Sequence, residues 1–348
     1  MLDIVAGLSL KNLKPAVWDK DSPYYLPELH AVMVSYADFH AMRYRRKLAM
    51  QQGLHGYLGI PRRVKIYLDN GSFYFIGREG ESPITEYEEF VREAKPDWYP
   101  IPRDFIPTPN MKRMEQKTCF DRTMEINRAY DYDGYVPVVH ISRFLQDYTS
   151  AIKASEKLKA KPSLALGGIV PNLLKTKRAM TLGDVLTHLQ FVRGEFETQR
   201  LHVFGIGGTA TVHIAALLGM DSIDSSGWRN RAARGIVQLP GSGDRMIANL
   251  GKWRGRKLQR KESKILSECV CPACLQSGIK GLRAKGIEGF SNRACHNLWV
   301  LLEEAKWVKE QMNAEEYAGS YKDRLDNTIY LPLIEHLVDI SKAVGRRT

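Results

Sequence analysis

Three thiols stand close together near the carboxyl end of this chain. The segment CVCPAC places Cys269, Cys271 and Cys274 in C-x-C-x₂-C spacing, and His296 follows on a predicted helix. Three thiolates and one imidazole make a closed tetrahedral Zn²⁺ site of the structural kind, with no position left for a reactant. Cys295, beside His296, is the alternative fourth ligand. The ion would hold an insertion too small to build its own core. Cys119 lies far away on a predicted helix and reads as a small buried hydrophobe. An odd total of 5 cysteines, three of them clustered, suits a reducing compartment, the cytoplasm, better than a disulfide framework.

A second group of chemistry-bearing residues closes a series of short apolar runs. Asp69, Asp104, His140, Gly167–Gly168, Gly205–Gly207 and Asp224 each end such a run. The strand candidates are 31–36, 64–69, 98–104, 135–141, 163–167, 201–206, 221–225 and 234–239. Helical patterns lie between and after them at 37–52, 85–95, 111–130, 142–158, 180–198, 209–219 and 296–313. Strands alternating with helices predict an α/β protein whose parallel sheet is covered on both faces. Eight strands is the count of a (β/α)₈ TIM barrel, whose active site forms at the carboxyl ends of the strands. Six polar or glycine-rich ends would then share one mouth. The expected division is a barrel over 1–239, a basic zinc-binding insertion over 240–296, and helices closing the barrel over 297–348.

One motif competes with this reading. GIGGTA (205–210) matches G-x-G-x-x-A after a strand, with Asp221 and Asp224 near the spacing of a ribose-binding acid. That fingerprint usually opens its domain, whereas here it follows the sixth strand candidate, so a plain turn is expected.

Composition bounds the partners. The 348 residues carry 51 Lys and Arg against 39 Asp and Glu, a net charge of +12, and 44% are apolar. The apolar share excludes global disorder. The most apolar long window, 201–220, contains His202, His213 and several glycines, which argues against a membrane span. The first residues show no signal-peptide pattern. A positive surplus favours a polyanion, nucleic acid before membrane. The densest basic run is KWRGRKLQRKESK (252–264), with Lys252, Arg254, Arg256, Lys257, Arg260 and Lys261; Trp253 lies inside it. RYRRK (43–47) and the group Lys175, Lys177 and Arg178 are smaller clusters.

Taken in order, LDNGSF (68–73), LALGGIV (164–170), HVFGIGG (202–208), GMDSIDSSGWRNRAARG (219–235) and CVCPAC with His296 resemble the tRNA-guanine transglycosylase superfamily. The resemblance covers about residues 30–310 and implies a zinc-containing (β/α)₈ barrel that exchanges guanine for a 7-deazaguanine without breaking the strand. It implies that Asp224 is the nucleophile and Asp69 the general acid/base, although the turn here reads D-N-G-S-F, one Gly poorer than the family's. It places Gly168, Ile169 and Val170 in the loop whose backbone binds the base, and Asp104, in RDFIPTP, as the reader of the guanine face. His140 stands where many members have Gln. Two departures resemble the DNA-modifying, DpdA-type branch: SSGWRNRAARG replaces a Pro-Thr-Arg-containing stretch after Asp224, and the chain ends soon after the zinc helix. That branch implies DNA as partner and 7-cyano-7-deazaguanine (preQ0) as incoming base. The alternatives are tRNA, or a non-catalytic zinc-stabilised nucleic-acid-binding subunit. A homodimer through the zinc region is the implied assembly.

The chemistry needs these residue types. Displacing a base from C1′ creates oxocarbenium character, which one carboxylate can trap as an ester while a second moves the proton. Gly167 and Gly168 would let the backbone approach a flat base, and Phe73, with Tyr67 or Phe105, could stack on it. In a duplex the target would have to flip out, at a cost that phosphate contacts offset.

Overall fold

The computed structural model describes residues 2–76, 83–132, 134–173, 178–251, 255–325 and 330–345. Lys252, Trp253, Arg254, Lys175 and Lys177 lie outside the described residues.

Short apolar runs build a curled sheet of seven parallel strands. These are β1 (Asp3–Gly7), β2 (Ala31–Ser35), β3 (Lys65–Asp69), β6 (Val138–His140), β7 (Ser163–Gly167), β8 (Arg200–Val203) and β9 (Ser222–Ser225), in the order β3-β2-β1-β9-β8-β7-β6. Several are buried along nearly their whole length, as in DIVAG and SLALG. Helices cover one face and neighbouring strands enclose the other, so the apolar runs do not alternate. β1 sits between β2 and β9, with Val5 opposite both Ala31 and Asp224, so the first strand pairs with the last.

A two-stranded ladder joins the sheet's edges. It consists of β4 (Tyr99–Pro100) and β5 (Tyr135–Val136). The Leu68 amide on β3 donates to Trp98 O at 2.9 Å, Ile101 N to Val136 O at 3.0 Å, and Ala165 N on β7 to Pro137 O at 2.9 Å. Backbone bonds therefore run from β3 through β4 and β5 to β6 and β7.

One expected sheet strand lies outside the sheet. Residues 234–239, expected as a sheet strand, form β10 (Ile236–Leu239), which pairs antiparallel with β11 (Gly243–Met246) outside the sheet. The intervening PGS and the glycine after it are hairpin punctuation. The strand that takes its place beside β9 is β1. The 28-residue helix Gly286–Asn313 runs continuously through residues 296 and 297. No described helix is long and apolar enough to cross a membrane.

Candidate active site and metal centre

The carboxyl ends of the parallel strands enclose a cavity of about 330 Å³, the lower end of the range for small-molecule sites. Gly7, Ser35, Asp69, Asp104, His140, Gly167, Gly205 and Asp224 each reach it from the end of a strand or the loop beyond. The structure thus gathers Asp69, Asp104, His140, Gly167, Gly168, Val170, Phe73 and Asp224 around one space. Ile169 points away, buried in the main core. Phe73 stands at the rim, 55% exposed. Tyr67 and Phe105 do not line the space. Tyr67 stacks on Trp98 with centroids 4.8 Å apart, and Phe105 lies under the Arg103 and Arg122 guanidinium groups.

Asp69 ends β3. Its Oδ2 accepts bonds from Ser35 Oγ at 2.8 Å and the Gly71 amide at 3.1 Å. Burial pushes the carboxyl up, the Ser35 bond pulls against this, and nearby Asp104 and Asp224 add repulsion, leaving it at about 7. Such a group can give or take a proton near neutral pH. Gly71, with φ +79°, lets the chain turn here; a Cβ would lie 2.8 Å from that of Ala37.

Asp104 is the opposite case. Asn70 Nδ2 donates to Oδ1 at 2.7 Å, and His140 Nε2 lies 2.9 Å from Oδ2. Burial alone would raise this carboxyl, but His140, Asn70 and Ser72 outweigh it and hold it below the ordinary range. It is therefore an acceptor. Asn70 is itself fixed by the Ile101 carbonyl at 2.9 Å and the Ser72 amide at 3.0 Å. Gly167 serves His140 locally, since a Cβ there would come within 2.7 Å of Nδ1.

Asp224, on β9, faces the two others. Its Oδ1 accepts the Gly205 amide at 2.7 Å and lies 3.6 Å from His202 Nε2. Both contacts fall on one oxygen and leave Oδ2 for a reactant. This explains GIGG without a dinucleotide: Gly205 supplies that amide, and a Cβ on Gly207 would lie 2.0 Å from the Ser225 Cβ. Asp221 works at the other end of β9, taking the Leu201 amide at 2.8 Å and pairing with Arg193 at 3.3 Å.

The metal-ligand group is closed. His296 Nδ1 lies 3.5, 3.6 and 3.5 Å from the sulfurs of Cys269, Cys271 and Cys274, and all four donor atoms lie within 4.8 Å of one another. With bonds of zinc length, a tetrahedron needs sulfur–nitrogen edges of about 3.6 Å, so the donors fit. The other ring nitrogen, Nε2, lies 2.9 Å from Gln238 O on β10, which orients the ring. Cys295 is buried apart, its thiol toward Tyr24 O at 3.7 Å, so His296 is the fourth donor. Cys119 is half-buried beside Met111.

Residues 23–328 match the family model described as queuine tRNA-ribosyltransferase. The chain belongs to this transglycosylase family. It is 26% identical to the tRNA-guanine(15) transglycosylase of Pyrococcus abyssi over 78% of this chain and 44% of that protein. The protein of that name from Haloarcula marismortui is 26% identical over 84% and 57%, and that from Methanosarcina mazei 27% over 77% and 51%. The chain spans about half the length of the curated relatives it matches.

Within this transglycosylase-family chain, a wider cleft of about 630 Å³ adjoins the cavity and shares Gly205, Asp224 and Ser226 with it. The amino end of helix Thr209–Leu217, Asn230 and Arg231 line it. Trp228 and Arg229, prominent in the sequence, are used internally. Trp228 Nε1 donates to Gly7 O at 3.1 Å, and the Arg229 guanidinium holds the Lys14 and Asn12 carbonyls. Arg256, Lys257, Arg260 and Lys261 are exposed, and residues 256–258 run beside β11. Glu262, the acid within that run, is buried against Arg245 at 2.7 Å, and Lys264 pairs with Glu268 at 3.7 Å. In RYRRK, Arg46 pairs with Glu86 and Arg45 bonds the Leu10 carbonyl.

Sequence reasoning missed Asn70, Phe204 and His202. Asn70 was legible as the departure in D-N-G-S-F. His202 on β8 and Phe204 just beyond it stand among apolar neighbours and give no local signal.

Proposed function

We propose that this protein is a base-exchanging pentosyltransferase that replaces guanine in DNA with a 7-deazaguanine such as preQ0 through a covalent aspartyl-sugar ester. The observation that carries the reading is one cavity holding three carboxyl groups in three settings. Asp69 is poised at about 7, Asp104 is kept ionised, and Asp224 is fixed through one oxygen only.

Each setting suits one step. Asp224 Oδ2 bonds to C1′ while the C1′–N9 bond breaks, and protonated Asp69 gives its proton to the departing guanine. The incoming base surrenders its N9 proton to the Asp69 carboxylate. Its N9 then bonds to C1′ as the C1′–O bond breaks, restoring the Asp224 carboxylate. Protons and charges balance over the cycle. Asp104, an acceptor on both oxygens, suits the N1–H and exocyclic amine of a guanine-like face. Backbone amides around Gly168, Ile169 and Val170 would meet its other edge, and Phe73 would cover it from the rim.

The linked sheet edges support a closed (β/α)₈ barrel, with the adjoining cleft behind the loops after β8 and β9, where such barrels commonly take phosphates. Strand flanking the flipped nucleotide would lie there, and Lys252, Arg254, Arg256, Lys257, Arg260 and Lys261 would engage the backbone beyond. The metal is proposed as Zn²⁺; bound, it would cross-link residues 269–274, at the start of helix Pro272–Arg283, to helix Gly286–Asn313 and take no part in exchange. We keep the division into barrel (1–239), insertion (240–296) and closing helices (297–348). The free thiols favour the cytoplasm.

A second reading is exchange on tRNA, favoured by the names of the relatives. Incubation with preQ0 and either duplex DNA or tRNA, then digestion and mass spectrometry of the nucleosides, separates the two. A 7-deazaguanine deoxynucleoside is expected. Modified tRNA alone would establish the second reading, and no modified nucleoside from either would overturn both.

A further inference from the structure

His202 lies inside the ring of strands, 2% exposed, on β8. Aromatic rings surround it: Tyr67 at 5.6 Å, Trp98 at 4.9 Å and Phe204 at 4.8 Å between centroids. An imidazole is an expensive group to bury there unless both nitrogens have work. Nδ1 lies 2.9 Å from Ser222 Oγ, but among the described residues Nε2 has no hydrogen-bond partner. What Nε2 faces, at 3.6 Å, is Asp224 Oδ1.

One of the two proton orders open to Tyr67, Ser222 and His202 aims a proton at Asp224. Burial raises the Tyr67 phenol, so it keeps its proton, and its hydroxyl is within reach of Ser222. With Tyr67 O–H donating to Ser222 Oγ, the Ser222 hydroxyl donates to His202 Nδ1. The histidine proton then sits on Nε2, aimed at Asp224. At 3.6 Å this is no full hydrogen bond, but an N–H dipole in a water-poor interior still attracts a carboxylate.

We propose that His202 is a positioning residue for Asp224, holding Oδ1 inward together with the Gly205 amide and steadying the charge that returns to the carboxylate when the sugar ester breaks. This rests on reading Asp224 as the nucleophile. Helped by two donors on Oδ1, Asp224 presents Oδ2 to the sugar in both half-reactions. The serine, the histidine and the aspartate come from adjacent strands β8 and β9, so backbone pairing fixes their spacing. The expected effect is on turnover and not on affinity for the free base, because His202 does not line the cavity.

Two substitutions divide the ring's functions. His202→Gln puts its amide near the Nε2 position and can still face Asp224. His202→Asn puts its amide near Nδ1 and can satisfy Ser222 alone. Base exchange is followed by incorporation of labelled guanine, with circular-dichroism melting as the check on folding. The expected result is a Gln variant within about threefold of wild-type kcat, and an Asn variant about tenfold to a hundredfold slower with unchanged KM for the base. The reverse order would show that the ring serves only Ser222 and would overturn the proposal. Equal rates in the two variants, fast or slow, would overturn it as well. Asp224→Asn is the control: exchange surviving in that variant would defeat the nucleophile reading separately, whatever the His202 pair does.

Discussion

The chain gathers two sets of ionisable side chains, and they are organised in opposite ways. In the thiol cluster every donor atom turns toward one point, and the free nitrogen of His296 is tied to a backbone carbonyl. Nothing is left over for a reactant. In the strand-end cavity Asp104 is held through both oxygens, but the other two carboxyl groups are only partly satisfied. Asp69 is bonded through Oδ2 and Asp224 through Oδ1, each keeping an oxygen for the space between them. A closed set stabilises a fold; an open set of like charges costs stability and stores reactivity.

That contrast can be broken most sharply at Cys271. Changing Cys271→Ser should lose the metal and loosen helix Pro272–Arg283 from helix Gly286–Asn313, since a structural zinc contributes on the order of 10 kcal/mol in isolated fingers. Zinc content by atomic absorption and the melting curve should fall together. A stable, metal-free variant would make the cluster a group of plain core thiols.

Asp224→Ala should do the reverse. Exchange should drop on the order of 10⁴-fold or more, as for other covalent nucleophiles, and the denaturant-resistant protein–nucleic acid adduct should vanish. Melting temperature should hold or rise, because one of three repelling carboxylates is gone. Undiminished exchange in this variant would end the nucleophile assignment.

Asp69→Asn should cost about 10²- to 10⁴-fold, the range for general acid–base groups. Base departure in the wild type should slow as pH rises through about 7, where Asp69 loses its proton, and the variant should lack that limb. Stability follows the same sign. The folded value lies above the ordinary 3.8 of this carboxyl, so Asp69 favours the folded state most below pH 4 and loses that contribution as pH rises to about 7. The Asn variant should therefore gain melting temperature at pH 8 but not at pH 4.

The smallest effect is expected at the exposed basic run. Replacing Arg256, Lys257, Arg260 and Lys261 by Ala should weaken DNA binding evenly across sequences and flatten its salt dependence by about one unit per lost phosphate contact. An unchanged slope in a titration against salt would make the run ordinary surface charge.

Much of both sets was legible before folding. The spacing of Cys269, Cys271 and Cys274 announces a metal because neighbouring residues in a tight loop can only converge. Asp69, Asp104, His140 and Asp224 were legible as strand ends because parallel strands put their carboxyl ends on one side. What remained hidden is relational. Residues 234–239 and 3–7 are both short apolar runs, and only hydrogen-bond partners distinguish hairpin from sheet. Ile169 and Val170 are adjacent, yet one enters the core and the other the cavity, because a single residue's step on the short helix after β7 turns the side chain by about 100°.

The sequence by itself determined the family, the donor types and the order of the motifs, since these are properties of residue kind and spacing along one chain. Only the tertiary structure decided the state of each group. Asp69 ends β3 and Asp104 lies in the loop beyond β4, yet they are the same residue type. One is driven up by burial and its neighbours, and the other is held down by Asn70 and His140. Proton affinity depends on the distance to other charges and donors, and the closing of the strands sets those distances.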